Sequence, residues 1–467
     1  MSKRWSGRVC DLRGVASGLA VGWVALSPSI AWGAKHTFPG AAPCNRTLQA
    51  CIDAARPGDR IEIATSAPIA EDLTILKSLA VTAAPGSTPH LGGEHSPRTQ
   101  ALQVTVGVAP SGATTNVTFS HLSFDADITV SFDRGAGHSF VFDHSTIERH
   151  WADVPSALAQ FPGTTPLDFT DNALLKISTS VPASVIVSDS TFIAAGGNVE
   201  LHAQAAKGVP IGFDVVRSRF IGAECCGGEF DSTVLLDLQG GHVTANVANN
   251  LMHRRAAGSP AFHVGIFESD ASAAFSGNVY VTSNTFDDAV EPGNSLETSP
   301  GDPMTPHSEG QVSGLFVQAD RSDFIHLYDN VFSYLTFDTF YTVIADAANN
   351  DFFSIATPAW PGFPRASAQL SVDPGYFSYA RDFHLQRSSR LVDAGFNRPP
   401  GGLQRTDLDG NRRIFGRNVD IGAYEYTAPR LDEVYVSNET AAGAGNEDDA
   451  ADQPEPTTAG SGGGTAA

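Results

Sequence analysis

Residues 279–286 read VYVTSNTF, one of eight copies of a pattern in which alternating apolar residues precede a short polar turn and a large apolar side chain. The other copies are NVTFSHLSF (116–124), HSFVFDHSTI (138–147), ASVIVSDSTF (183–192), GFDVVRSRF (212–220), VTANVANNL (243–251), IHLYDNVF (325–332) and the weaker ANNDFF (348–353). The positions two before each final apolar residue are Leu122, Ser145, Ser190, Ser218, Asn249, Asn284, Asn330 and Asp351. All of them except Leu122 are small and polar.

A repeated strand that ends in a small polar residue, with the next apolar side chain returning inward, is typical of a stacked parallel β-solenoid. Like positions of successive coils lie about 4.8 Å apart in such a fold. The polar residues would therefore form an internal ladder, and the apolar residues would form a continuous core. The repeat predicts an all-β parallel β-helix.

The composition agrees with many short strands joined by turns. The 467 residues include 45 Gly and 28 Pro, and only 17% are charged. The formal net charge of −22 would repel nucleic-acid phosphates, so we expect no nucleic-acid partner. It also argues against tight binding of a polyanionic glycan unless cations intervene. We expect the chain to act as a monomer.

The N-terminus, residues 1–33, reads as a signal peptide. Basic residues precede an apolar stretch at 15–26, and AWG (31–33) supplies small residues at the cleavage spacing. No segment reaches the length of about twenty apolar residues that a membrane span needs. The sequence therefore predicts a soluble, exported protein, secreted or held at the cell surface, with no membrane span.

Export favours disulfides among the cysteines that follow the leader. Cys44, Cys51, Cys225 and Cys226 allow three pairings, of which local pairing is the simplest. A Cys44–Cys51 bridge would staple the first end of the solenoid. Cys225 and Cys226 are adjacent and would close a strained ring. They are either a structural or reduced turn pair, or a redox-sensitive or ligand-contacting loop.

A short capping helix is expected before the first coil. In CNRTLQACIDAARPGDRIEI (44–63), Leu48, Ile52 and Ala55 share one helical face, and the PG pair ends the helix. An open solenoid end needs such a cover, because its core and strand edges must not face water. The stretch resembles the opening of secreted right-handed parallel β-helix proteins, whose first coil often follows a helix of the form AIDAAxPGD.

The most specific resemblance lies near the end of the chain. The matching elements are DP (373–374), DFHL (382–385), VDAG (392–395), DLDG (407–410) and VDIGAYEY (419–426). They resemble the closing segment of bacterial choice-of-anchor Q domain proteins, a family of exported parallel β-helices that end in varied surface-attachment devices. The chain departs from that family at Arg390, where a Pro is expected, and after 430, where no recognisable anchor follows.

This resemblance implies a single-stranded, right-handed parallel β-helix of the pectate-lyase-like superfamily over 34–430, from a bacterium. Residues 371–430 would be its C-terminal cap, in which the VDIGAY run (419–424) supplies a final strand. Residues 431–467 contain almost no bulky apolar side chain. They are predicted to form a disordered acidic tail rich in Gly and Ala.

Four longer intervals between repeats are marked as insertions, at 148–180, 222–232, 289–311 and 356–369. Insertions in a solenoid project as loops and often cluster on one face, where ligands bind. Trp151 and Trp360 lie in these insertions. They are candidates for stacking on the sugar rings of a carbohydrate, with ordinary loop packing as the alternative.

One candidate calcium site lies in the C-terminal cap. Asp407, Asp409 and Asn411 have the 1-3-5 oxygen spacing of a calcium loop, but the central glycine and the distal glutamate of that signature are missing. The alternative interpretation is a plain hydrogen-bonded turn.

Candidate catalytic residues are few. A polyuronate lyase needs a base for the C5 proton and cations beside the uronate carboxylate, and His253, Arg254 and Arg255 form the best basic cluster. Possible calcium ligands about one coil earlier are Glu224, Glu229, Asp231 and Asp237. A glycoside hydrolase needs two facing carboxylates, for which Asp287 and Asp288 are the nearest candidates. The alternative for all of them is a structural or solvated role.

The sequence thus favours an exported β-helix that binds an extracellular polysaccharide or a cell-surface component, without evident catalysis. The alternative is a calcium-assisted polyuronate lyase, and a glycoside hydrolase is a third candidate. An enzyme would gather His253, Arg254 or Arg255 with two or more carboxylates in a groove beside the parallel sheet, whereas a binding protein would not.

Overall fold

The computed structural model describes residues 33–92, 102–148, 173–194, 198–222, 232–254, 262–268, 275–288, 313–319, 324–340, 344–355, 368–379 and 381–427. Within these ranges the chain forms 31 strands and one helix. Most strands belong to three long sheets, here called A, B and C.

Sheet A has eleven strands that lie side by side in chain order. They are β1 (Lys35–Phe38), β2 (Asp59–Ile63), β4 (Leu79–Ala83), β7 (Asn116–Ser120), β10 (His138–Asp143), β13 (Ala183–Ser188), β16 (Pro210–Val216), β19 (His242–Ala248), β22 (Ser276–Thr282), β25 (Ile325–Tyr328) and β28 (Asp346–Ala348).

Sheet B has nine strands in the same order. They are β5 (His90–Leu91), β8 (Ser123–Phe124), β11 (Thr146–Glu148), β14 (Thr191–Ala194), β17 (Arg219–Gly222), β20 (Leu251–Arg254), β23 (Thr285–Asp287), β26 (Val331–Ser333) and β29 (Asp351–Phe353).

Sheet C also has nine strands. They are β3 (Leu73–Ile75), β6 (Leu102–Val106), β9 (Ala126–Phe132), β12 (Leu175–Thr179), β15 (Val199–Ala203), β18 (Ser232–Leu238), β21 (Phe262–Phe267), β24 (Ser313–Gln318) and β27 (Thr336–Phe340). A separate antiparallel pair is formed by β30 (Tyr376–Ser378) and β31 (Asp382–Leu385).

Each coil passes through sheets A, B and C in turn, and each strand pairs in parallel with the equivalent strands of the coils before and after it. The predicted parallel β-helix is therefore confirmed. No helix within the described ranges has the length and apolar character needed to cross a bilayer.

Alternating side chains fill the interior. In β9 the residues Ala126, Ile128, Val130 and Phe132 are buried, while the residues between them are more exposed. In sheet B one inward column contains mostly aromatic side chains, and the rings of Phe286 and Phe332 stack with centroids 4.8 Å apart. Such contacts add about 0.5–1.5 kcal/mol per pair beyond the buried area.

The corners between sheets A and B contain the polar ladder. The ladder residues are Leu122, Ser145, Ser190, Ser218, Asn250, Asn284, Asn330 and Asn350, all of them buried. Each backbone N–H donates to the ladder side chain of the next coil, as from Asn250 N to Asn284 Oδ1 (3.0 Å) and from Asn284 N to Asn330 Oδ1 (2.9 Å). The ladder thus satisfies backbone groups that water cannot reach.

Two ladder positions differ from the sequence-based expectation. Asn250 and Asn350 occupy them, instead of Asn249 and Asp351. The ladder residue stands two positions before the inward apolar residue of each copy. Met252, not Leu251, pairs with the inward Phe220, and Phe352 pairs with Phe332, so the ladder residues are Asn250 and Asn350. Asn249 instead takes the left-handed backbone conformation found at every one of these corners (φ 57°), which Asn tolerates better than most residues.

The apolar exception, Leu122, stands at the first position of the ladder. The preceding corner, at 84–89, is longer and closes its own turn through a hydrogen bond from Ser87 N to Ala84 O. We infer that no N–H of that corner requires an acceptor from Leu122. Its side chain is buried in the core instead.

The N-terminal end is closed as predicted. Helix α1 (Leu48–Ala54) buries Leu48, Cys51 and Ile52, and Thr47 caps its first turn by accepting from Ala50 N (3.0 Å). The predicted Cys44–Cys51 disulfide is present. Cys225 and Cys226 lie outside the described residues.

The C-terminal segment, residues 371–427, lies along the outer face of sheet B. Its apolar side chains form a second core with Leu251 and Val331 of that sheet. Residues 419–424, expected to supply a final strand, form none. Their backbone bonds to the corners and sheet B instead, through Gly422 N to Asp329 O (2.8 Å) and Ala423 N to Thr285 Oγ1 (3.0 Å). The predicted cap therefore covers a flank and contributes no closing strand there.

Candidate functional site

Connecting segments of variable length link sheet B to sheet C. Segments 149–172, 223–231 and 289–312 each join a sheet B strand to a sheet C strand. The insertion predicted at 148–180 contains β12 and is therefore shorter than expected. Each of these connections thus begins at the end of a sheet B strand and ends at the start of a sheet C strand. Trp151 and Trp360 lie outside the described residues.

A charged cluster occupies the outer face of sheet C, formed by Lys176, Glu200, His202 and Asp237. The strand register places Lys176 beside Glu200, and His202 beside Asp237. The His202 ring contacts Asp237 Oδ2 through Nδ1 and Glu200 Oε2 through Nε2, both at 3.1 Å. Lys176 Nζ lies 3.2 Å from the same Glu200 oxygen.

The two carboxylates decide the protonation state of this histidine. Burial opposes a charged His202, but the hydrogen bonds to Asp237 and Glu200 outweigh it and raise the pKa of His202 to about 9. Burial likewise opposes ionisation of Glu200, yet His202 and Lys176 hold its pKa below the usual value. His202 is therefore an imidazolium at neutral pH, with both ring nitrogens engaged.

Aromatic side chains continue the same face in the next coils. Phe267 lies beside Asp237 in the strand register, and its ring centroid is 5.2 Å from that of Phe316. Gly265 leaves room for this ring, because a Cβ there would stand 2.9 Å from Phe267 Cε2. Phe267 is half-buried, whereas Phe316 is only 6% exposed and supports the Phe267 ring from beneath the surface. Charged hydrogen-bonding groups beside a partly exposed aromatic ring are the combination with which proteins hold polar ligands that have apolar faces, such as sugars.

The residues predicted to be catalytic lie on sheet B. His253 and Asp287 are register neighbours, and His253 Nδ1 lies 3.6 Å from Asp287 Oδ1. Ser333 donates a hydrogen bond to the other oxygen of Asp287. Arg254 belongs to β20, but its side chain and the whole of Arg255 lie outside what the structure describes.

This sheet B cluster is covered. Asp287 is fully buried, while His253 and Asp288 are each only 4% exposed. The C-terminal segment lies over them, with the ring of Phe383 5.0 Å from that of His253. The structure brings His253 and Asp287 together, but it places them inside an interface and not in a groove open to a polymer.

The candidate calcium residues form a turn. Asp407 Oδ1 accepts from Asp409 N (3.0 Å) and Asn411 N (2.7 Å), and its other oxygen accepts from Asn411 Nδ2 (3.2 Å). The carboxylate of Asp409 points elsewhere, to Arg219 and His384. This geometry is that of the hydrogen-bonded turn.

A different group of possible metal ligands lies at the A–B corner. Ligand atoms of Asp143, His144 and Asp189 come within 4.8 Å of one another. Both oxygens of Asp189 already accept from Arg217, at 2.8 Å and 2.6 Å, and Asp143 Oδ1 accepts from Ser188 Oγ. A cation would have to compete with the Arg217 guanidinium for the same oxygens.

Among solved structures, the chain is similar to a crystal structure of pectate lyase Pel9A. The identity is 13%, the TM-score is 0.33, and the match covers 85% of this chain and 98% of that chain. No protein-family model and no curated protein matches the chain. The fold assignment rests on the strand order and register described above.

Proposed function

We propose that this protein is an exported, extracellular glycan-binding β-helix that holds a saccharide chain along the outer face of sheet C. The observation that carries the proposal is the charged cluster of Lys176, Glu200, His202 and Asp237 next to the partly exposed ring of Phe267, which packs on the buried Phe316. Fixed charges would bond sugar hydroxyls, and the exposed part of the Phe267 ring would contact the apolar face of a sugar.

The same geometry argues for binding without catalysis. A general base must be free to take a proton near the operating pH, whereas His202 is held protonated between two carboxylates. A glycosidase needs its two carboxylates on opposite sides of the scissile bond, roughly 5–9.5 Å apart. Glu200 and Asp237 lie on one surface, bridged by the His202 ring, which leaves no place for a sugar between them.

The alternative function is a calcium-assisted polyuronate lyase. The observation that favours it is the position of Asp237 on this face, in the strand that directly follows Glu224, Glu229 and Asp231. Calcium held there would neutralise a uronate carboxylate. A lyase produces unsaturated uronates that absorb ultraviolet light, so an assay on polygalacturonate and alginate, with and without a chelator, tests this alternative.

The binding proposal is tested by measuring the affinity of the full chain for a panel of neutral and uronate polysaccharides. His202→Gln and Asp237→Asn should each weaken binding of any polysaccharide that the wild type retains, by about tenfold. His242→Gln is the matched control, since His242 also bonds a side chain on an outer strand face, Ser276, but in sheet A. Retention of no polysaccharide, or equal losses in the control, would overturn the proposal.

A further inference from the structure

The C-terminal segment differs in charge from the solenoid on which it lies. Residues 371–427 contain eight arginines and seven acidic residues, whereas residues 34–370 contain 16 basic and 35 acidic residues. The segment therefore carries a basic side chain about every seven residues, in an otherwise strongly acidic protein. One of the eight, Arg413, is buried and lies 2.7 Å from Glu425 Oε1.

Four other arginines of the segment are exposed together with two aromatic rings. This arginine–phenylalanine surface consists of Phe396, Arg398, Arg405, Arg412, Phe415 and Arg417. Phe396 is 43% exposed and Phe415 is 58% exposed. Within the described part of the chain, none of the four arginines forms an ion pair with a carboxylate.

Exposed apolar side chains are concentrated in this segment. The described residues include four large hydrophobic side chains classed as exposed, and three of them, Phe377, Phe396 and Phe415, belong to residues 371–427. Single exposed apolar residues are ordinary, but a concentration of them beside unpaired cations marks an interaction surface. The fourth, Leu76, lies beside α1 at the other end of the solenoid.

Hydrogen bonds hold the surface together and fix it to the solenoid. Asn397 Nδ2 contacts Arg417 O (3.2 Å), which keeps Phe396 and Arg398 beside the segment with Phe415 and Arg417. Arg413 N donates to Arg405 O (3.1 Å), which keeps Arg405 beside Arg412, the residue before Arg413. Asn249 of the solenoid anchors this part through a 2.6 Å bond to Thr406 O.

We propose that the arginine–phenylalanine surface binds an anionic lipid surface. Exposed arginines bond lipid phosphates, and the neighbouring phenylalanine rings enter the boundary between headgroups and acyl chains. The surface lies on a flank, so an elongated solenoid would lie lengthwise on the membrane. This contact is separate from the sheet C face and does not depend on the proposed glycan binding.

The charge distribution favours a planar surface over a flexible polyanion. The solenoid carries 35 acidic residues against 16 basic ones. A long nucleic acid or acidic glycan that extended past the small basic surface would be repelled by this body. A lipid bilayer contacts one side of the protein only, so it can meet the four arginines while the other faces of the acidic solenoid stay in solution, where salt screens their charges over a Debye length of about 8 Å.

The test is sedimentation of the full chain with phosphatidylcholine vesicles, with and without phosphatidylglycerol. Binding should require phosphatidylglycerol and fall with salt. Arg398→Gln with Arg417→Gln should weaken it about 25-fold, at about fivefold per arginine, and Phe415→Ala should weaken it about tenfold. The matched controls are Arg46→Gln with Arg134→Gln, two exposed arginines of the solenoid, and Leu76→Ala. Unchanged melting temperatures show that each variant is folded.

Four results would overturn the proposal. They are equal binding to neutral vesicles, no binding to anionic vesicles at low salt, equal losses in the control variants, and tighter binding of DNA than of anionic vesicles at the same ionic strength. The last result would identify the surface as a polyanion site. None of the four bears on sheet C, so this proposal can fail while glycan binding stands.

Discussion

The asparagines of the ladder bond in both directions along the solenoid. Asn284 accepts from Asn250 through Oδ1, and its Nδ2 donates to Val247 O (2.8 Å) and to Asn330 Oδ1 (2.9 Å). A serine at the same position also accepts from the neighbouring coil, but its hydroxyl donates within its own coil, as from Ser190 to Ser188 O. Asparagine therefore links three coils, and serine links two.

Asn284→Ala should accordingly be strongly destabilising. The substitution leaves Asn250 N without its acceptor in a fully buried corner and removes the amide hydrogen bond to Val247 O, so we expect the free energy of unfolding to fall by about 3 kcal/mol. Ser190→Ala should cost about 1–2 kcal/mol. Urea unfolding measures both, with Asn116→Ala as a control, because Asn116 bonds Ser139 on the outer face of sheet A. Equal costs for Asn284→Ala and the control would contradict the ladder's role.

His202 should make stability depend on pH. Its pKa is raised to about 9 in the folded protein, against about 6.5 when unfolded, so folding favours the protonated form. That stabilisation is fully present below about pH 6.5 and is lost as the pH rises through about 9. The difference in unfolding free energy between wild type and His202→Gln should therefore shrink by about 2 kcal/mol between these pH values. A difference that stays constant would show that His202 is neutral in the fold.

The C-terminal segment is an element held partly by buried carboxyl groups. Asp329 accepts from Phe396 N (2.7 Å), and Asp351 accepts from Val372 N (2.9 Å). Burial raises the pKa of each to about 7, and these backbone hydrogen bonds offset only part of that effect. The folded state therefore keeps protons that the unfolded chain loses at about pH 4.

It follows that the attachment of this segment weakens as the pH rises from about 4 to about 7. A raised carboxyl pKa gives stability that is present below about pH 4 and lost as the pH rises through about 7. Asp329→Asn with Asp351→Asn should flatten this dependence, because Asn cannot ionise. Urea unfolding at about pH 5 and about pH 8 measures it, and we expect the wild type to lose at least about 2 kcal/mol more than the double variant. Parallel losses would show that these groups are ionised in the fold.

The elements differ in how far the sequence could predict them. The strand repeats were predictable, because inward and outward side chains alternate along each strand. The dipeptide Asn249-Asn250 offers two adjacent candidates for one ladder position, and only the pairing of Met252 with Phe220 decides between them. The lateral packing of the C-terminal segment depends on contacts between distant residues, such as Arg219 with Asp409, which no local pattern indicates.

The charged cluster of sheet C was equally hidden from local patterns. Glu200 and His202 are two residues apart in β15 and would read as ordinary outward residues of a strand. Their partner Asp237 comes from the next coil, after a connection whose length is not fixed by the repeat. Stacking creates the site, so it becomes visible only when the coils are in register.

At the scale of the whole molecule, the solenoid is a one-dimensional stack in which each coil contacts mainly its neighbours. The coil from Ala183 to Pro210 contains β13, β14 and β15. The dipeptide Val181-Pro182 precedes this coil, and the coil itself ends in Val209-Pro210. Removal of the coil therefore leaves a Val-Pro dipeptide directly before Ile211, as in the wild type. Ala183 and Ile211 occupy equivalent register positions, which means that inward residues would still face inward after the deletion.

Deletion of residues 183–210 should therefore give a folded, shorter solenoid. The new neighbours would be β10 with β16, β11 with β17 and β12 with β18, and Ser145 N would donate to Ser218 in place of Ser190. Circular dichroism should keep its β signature and unfolding should stay cooperative. The deletion removes Glu200 and His202 but none of the arginine–phenylalanine surface. Polysaccharide retention should be lost while binding to anionic vesicles persists, and loss of both in a folded deletion variant would contradict the separation of the two surfaces.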